Sequence, residues 1–177
     1  MNYSDEIVDR HHDDTLYTLD TQIYNLLLDS KKGGNRLLKH FKIEYPEQYP
    51  QTYINSINVG RTYTYPDKES TTFDTNAYEV TVEIVITTKN YKTMQRREIL
   101  KTACYEVIKI IENSPLAGFC RIESNVFEYD NTNVITNARI ILKGLERFSK
   151  EVEEREYNRI CRLIENIELK TFKEGVD

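Results

Sequence analysis

The one cluster whose residue types suit a metal ion is His11-His12-Asp13-Asp14. Adjacent histidines at the start of a helix rarely aim at one ion, and the third histidine, His40, is remote in sequence, so a solvated helix start is expected there and no metal site. Gly33-Gly34-Asn35 lacks the spacing of a phosphate-cradling loop and follows a helix instead of a strand, which excludes a nucleotide site of that kind. Cys104, Cys120 and Cys161 are odd in number and widely spaced, giving neither a disulfide framework nor a paired-thiolate zinc signature. They are read as reduced. Cys104 adjoins an apolar stripe and has no neighbouring base to activate it, so it is expected in the core. No nucleophile, base and orienting residue can be grouped. The expectation is a chain that is not an enzyme, with no catalytic residue, cofactor or metal.

Charge offers more. Lys89, Lys92, Arg96, Arg97 and Lys101 set five positive charges against Glu98 around the start of a helix, in a chain whose formal net charge is −5. Such a run is most often a solvated face; as a functional feature it suits an acidic protein neighbour better than a phosphate backbone, because a general nucleic-acid binder needs an excess of Lys and Arg on its binding surface. Asp67-Lys68-Glu69 opens a polar loop that cannot bury itself and is expected to order against a neighbour. Thirteen tyrosines and no tryptophan add amphipathic rings of the kind enriched where protein meets protein. Tyr63 and Tyr78 are instead expected in the sheet core.

The elements that must carry these residues follow from periodicity. Leu16, Leu19, Ile23, Leu26 and Leu27 form the stripe of a first helix over Asp13 to Ser30, closed by Lys31-Lys32-Gly33-Gly34. Leu37 to Tyr53, with Pro46 and Pro50, reads as an irregular surface crossover. Tyr53, Ile57, Val59 and Tyr63 share one parity of a strand within Thr52 to Tyr65. After the loop Pro66 to Thr75 comes the cleanest alternation in the chain: Tyr78, Val80, Val82, Ile84 and Ile86 on one side, Glu79, Thr81, Glu83 and Thr87 on the other. Met94 to Asn113 is a long helix with Ile99, Ala103, Val107, Ile110 and Ile111 as its stripe, ended by Asn113-Ser114-Pro115. Phe119 to Tyr129 and Asn133 to Lys143 form a second hairpin around Asp130-Asn131-Thr132, with Val134, Ala138, Ile140 and Leu142 as its apolar face.

Helix, hairpin, helix, hairpin buries its apolar faces most economically as an α+β fold: a four-stranded, mainly antiparallel sheet with two helices packed on one face. From Glu146 the chain is charge-dense, yet Val152, Tyr157, Ile160, Leu163, Ile164 and Ile167 keep helical spacing, so a C-terminal helical extension is expected, packed on the same domain. A terminal strand within Asn166 to Phe172 is the alternative. The expected division is a domain over 1–145 and an extension over 146–177. No apolar run approaches the roughly 20 residues that span a bilayer, and the polar, acidic N-terminus has no secretory pattern; cytoplasmic synthesis and no membrane partner are expected.

This order of elements resembles the tail terminator proteins of long-tailed bacteriophages, the family of the lambda-like minor tail protein U. The likeness is carried by the helix Leu16 to Leu28, the strand Ala77 to Thr87, the helix Gln95 to Glu112 and the hairpin Arg121 to Lys143, across roughly residues 13 to 145. The segment from Glu146 departs from the shortest family members. The resemblance implies a structural virion protein at the head-proximal end of the tail, assembled in the host cytoplasm. It would form a homohexameric ring that caps the tail tube, stops its polymerisation and joins the tail to the head or neck. Its implied partners are copies of itself, the tail tube protein, the sheath protein of a contractile tail and a neck or head-completion protein, without sequence-specific nucleic acid. Lys89, Lys92, Arg96, Arg97, Asp67, Lys68 and Glu69 become the subunit or tube contacts. The alternatives are a phage neck or head-completion protein and a non-viral small α+β binding module.

Overall fold

The computed structural model describes residues 18–45, 54–89, 91–130, 132 and 134–174. Among the described residues the fold is α+β, a five-stranded mixed sheet with three α-helices. In chain order the elements are α1 (Leu19–Lys32), β1 (Lys42–Glu44), β2 (Ser56–Pro66), β3 (Thr75–Thr87), α2 (Thr93–Glu112), β4 (Cys120–Tyr129), β5 (Ile135–Ser149) and α3 (Lys150–Glu174). The strands lie in the order β1-β2-β3-β5-β4.

Two compact units divide the chain. One is Thr18–Pro66 with Tyr78–Glu146; the other takes in Asp67–Ala77 and Arg147–Asp177. In the first, Leu19, Ile23 and Leu27 recur at four-residue steps and are buried, while Asp20 and the Lys31-Lys32 pair suit the two ends of the helix dipole. Gly33 N–H bonds back to Asp29 O, and Gly34 takes the left-handed φ of 92° that a side chain resists. Asn35 Oδ1 then accepts from the N–H groups of Leu37 and Leu38, and its Nδ2 donates to Glu106 on α2, tying the end of one helix to the side of the other. This glycine pair is a helix stop.

Along β3, Val80, Val82, Ile84 and Ile86 are buried as their alternation requires. They join one core cluster with Ile57 and Val59 of β2, Ala138, Ile140 and Leu142 of β5, and the buried faces of α1 and α2. On α2 the buried line is Leu100, Ala103, Cys104, Val107 and Ile111; Ile99 and Ile110 are only half-buried at its margin. Cys104 is in the core as expected. Gly144 of β5 lets helix and sheet approach closely, since a Cβ there would lie 2.6 Å from Leu19 Cδ2.

Several expectations are corrected. The sheet has five strands, because the stretch read as an irregular crossover contains a 3-10 turn at Leu38–His40 and the strand β1, which pairs parallel with β2 at Lys42↔Ser56, Ile43↔Ile57 and Glu44↔Asn58. Leu38, Phe41 and Ile43 from this stretch are buried. Tyr63 is not core but 57% exposed: the register of β2 against β3 shifts between Arg61 and Tyr63, and the extra residue breaks the alternation. Tyr63 and Tyr65 stack with ring centroids 6.3 Å apart. Tyr78 is half-buried against the core, and Thr87, expected outward, is buried with its hydroxyl 2.9 Å from that of Ser56. β5 runs six residues beyond the expected end at Lys143, and the segment within 166–172 is helical, not a strand. The expected helix start at Asp13 and the tyrosines Tyr49 and Tyr53 lie outside the described residues.

In the second unit, the loop before β3 has internal order. Asp67 Oδ1 accepts from Glu69 and Ser70 N–H, Asp67 O accepts from the Thr71 hydroxyl, and Asp67 N–H donates to Ala77 O. The eight residues between β2 and β3 are thus held by an aspartate turn. Lys150, the first residue of α3, donates its N–H to Asp74 O and sets its ammonium 5.9 Å from the Phe73 ring centroid; Asn76 Nδ2 donates to Glu153.

Candidate interaction surfaces

The contact residues read from sequence fall in both units. Lys89 is exposed, its N–H held by Asn55 Oδ1 at 2.9 Å. Lys92 and Arg97 are exposed at the start of α2; Arg96 is half-buried and bonds Tyr91 O. Its charge also helps to hold the Asp130 carboxyl below the usual range, after the Thr132 hydroxyl and the N–H groups of Val134 and Thr132, which act more strongly. The basic run is therefore split, with Arg96 committed to its own chain and Lys92 and Arg97 facing solvent. Lys68 and Glu69 are exposed on the loop, whereas Asp67 organises it. The Ser70 side chain, then backbone N–H groups, hold the Asp67 carboxyl below the ordinary aspartate value.

Sequence reasoning missed a charged group at the start of α1. Arg61 keeps the inward parity of Ile57 and Val59, so its guanidinium reaches Asp20 Oδ1 at 2.9 Å and grips both oxygens of Glu146 on β5. Glu146 is only 6% exposed and also accepts the N–H of Leu19, one of the donors that a helix start leaves without an intrahelical partner. Burial raises the Asp20 pKa, but hydrogen bonds from Arg61 and Thr18 and the Arg61 charge outweigh it, and the net shift is downward. For Arg61 burial works against the charged form, yet bonds to Glu146 and Asp20 raise its pKa further. No pattern of spacing links positions 20, 61 and 146. The group fastens helix to sheet.

The outward side chains of β3, β5 and β4 form a second set of ion pairs. Arg139 lies 2.7 Å from Glu83 and 2.6 Å from Glu128, and Glu123 contacts Arg121 and Lys143. β4 stands at the end of the strand order, with Val126 and Tyr129 exposed on it and Phe119 exposed just before it. Such an edge offers unpaired backbone groups to a neighbour.

The largest apolar exposure is on α3, where Tyr157 (70%), Ile160 (38%), Leu163 (47%), Ile164 (49%) and Ile167 (56%) face solvent. The spacing of this stripe was legible, but its partner was not. A monomer leaves few contiguous apolar patches of this kind uncovered unless they meet another surface.

Burial pushes the Cys104 thiol up to about 11, so it is not a nucleophile near neutral pH. Among the described residues no group of three His, Cys, Asp or Glu side chains could hold a metal ion, and no helix is long and apolar enough to cross a membrane. The cluster at 11–14 lies outside the described residues. Comparison with known proteins finds no family model and no curated protein that matches the chain.

Proposed function

We propose that this chain is a self-assembling structural protein of a bacteriophage tail, acting as a tail terminator. Six copies form a ring that caps the tail tube, stops its growth and presents a surface to the neck of the head. The observation that carries the reading is the uncovered apolar face of α3, on a chain whose other exposed features are contact features as well. Those are an open strand edge, exposed tyrosines and an exposed pair of cations at Lys92 and Arg97. The order of helix and hairpin elements supports the terminator assignment, because it follows the pattern on which the resemblance rests. The domain over 1–145 supplies the ring body, and the extension over 146–177 supplies a further contact.

A ring needs two different patches that close by rotation. In this reading the β4 edge and the exposed Lys92 and Arg97 at the start of α2 serve as that pair. The test is tube assembly in vitro: polymerise the tube protein of the same virus with and without this chain, and measure tube lengths by negative-stain electron microscopy. Shortened tubes that carry a ring at one end are expected. Tubes that elongate unchanged would overturn the reading.

A further inference from the structure

We infer that the free chain pairs in solution through α3, two copies lying antiparallel about a two-fold axis that crosses the apolar stripe midway between Ile160 and Ile164. The inference rests on reading the chain as self-assembling, but not on the ring, because a two-fold pair closes on itself and does not use the β4 edge or the start of α2, the two patches assigned to ring closure. Tyr157, Ile160, Ile164 and Ile167 are spaced 3, 4, 3, the heptad spacing of a helix pair over about 15 Å of helix. That spacing reads the same in both directions. Turned end for end, a second copy sets its Ile167 beside Tyr157 and its Ile164 beside Ile160, with Leu163 flanking the seam near the axis.

Two observations select the antiparallel arrangement. The N-terminal turn of α3 is already occupied within its own unit, by Asp74 at Lys150 and Asn76 at Glu153, whereas the stripe beyond it is exposed. A parallel pair would crowd two copies of the 67–77 loop at one end, and an antiparallel pair sends them to opposite ends. On that same end Glu151 and Glu156 pair with Arg155 and Arg159, while helical spacing puts Glu153 and Glu154 toward the stripe, where parallel packing would set them against their copies. Antiparallel packing separates the two acidic runs, at the cost of apposing Glu154 to Glu168 in solvent. The five residues expose roughly 550 Å² per copy, so a pair that covers all of it buries at most about 1,100 Å² from the stripe, just under the lower bound of stable interfaces, and flanking polar atoms must supply the rest. Arg155, Arg159 and Arg162 lie on the opposite side of the helix and stay in water.

The experiment uses the full chain. Sedimentation velocity from about 1 to 100 µM is expected to show a dimer forming within that range, and Ile160→Glu with Ile164→Glu is expected to abolish it. Both side chains are exposed, so the melting transition of the double variant, read at the low concentration where the wild type is monomeric, should be unchanged. In a Cys161→Ser background, copies carrying Glu154→Cys are expected to crosslink through a short bis-maleimide to copies carrying Glu168→Cys, and poorly to their own kind. A chain monomeric throughout, a dimer that survives the double variant, or crosslinking confined to identical positions would each overturn the pair. Tube capping by a chain that stays monomeric in solution would remove the helix pair and leave the terminator reading standing. A dimer without any effect on tubes would do the reverse.

Discussion

Replacing Arg61 by methionine keeps most of the side chain's apolar stem while removing the charge that Glu146 was buried against. In the native chain Glu146 is 6% exposed, and Arg61 meets both its oxygens; the Leu19 N–H is the other donor it receives. Breaking a buried pair by removing one partner costs about 3–5 kcal/mol, and the side chain of Arg61 is itself 24% exposed, which places the expected loss at the low end, about 3 kcal/mol. For a chain of this length that lowers the melting temperature by roughly 6–12 °C. Glu146→Gln keeps an acceptor for Leu19 but removes the charge, so the double variant Arg61→Met, Glu146→Gln should be more stable than the sum of the single losses by about 1–2 kcal/mol. Urea unfolding followed by circular dichroism, with unchanged slope as a check on the unfolded state, measures all three variants. Single losses under about 1 kcal/mol that simply add would refute the assignment of this group as the fastening of α1 to the sheet.

Three further outcomes are expected. Ile84→Asp places an unpaired charge in the middle of β3, costing several kcal/mol, and should abolish the cooperative melting transition; retention of the wild-type transition would contradict the core assignment. Because the Asp20 pKa is lowered in the folded chain, its contribution to stability is complete above the ordinary aspartate value of about 4 and is lost as pH falls through the folded value. The stability difference between wild type and Asp20→Asn should therefore be largest near neutrality and shrink as pH falls through the folded value, below the ordinary aspartate range, as urea titrations across pH would show. Lys92→Glu with Arg97→Glu should leave the melting temperature within a few degrees of wild type but impair tube capping, without creating or removing salt-sensitive binding of duplex DNA; normal capping would exclude these cations from the contact.

How much of this was legible in the sequence depended on the length and regularity of each element. The core of β3 could be read directly, because the alternation from Val80 to Ile86 is long enough to fix which side is buried, and it failed only at the ends, where Tyr78 is half-buried and Thr87 is buried. α2 was placed within one residue at each end, but its stripe was set off-centre, since Ile99 and Leu100 are both apolar and only packing decides which is deepest. β1 was not legible: three residues hold no period, and its place beside β2 is set by long-range pairing. Tyr63 was misplaced because a one-residue shift beyond Arg61 leaves no trace in composition. The Arg61 group joins three distant positions and has no local signal at all. For α3 the stripe was visible, whereas its exposure was not, since spacing describes a face and not what covers it.

We propose that this chain ends a tube as a ring of six. This is tested most directly by cryo-electron microscopy of tubes grown to completion in its presence, with copies counted from the symmetry of the terminal density. Six copies at one end of each tube, and none along its length, are expected. Tube ends without added density, or the chain distributed along the tube wall, would contradict it.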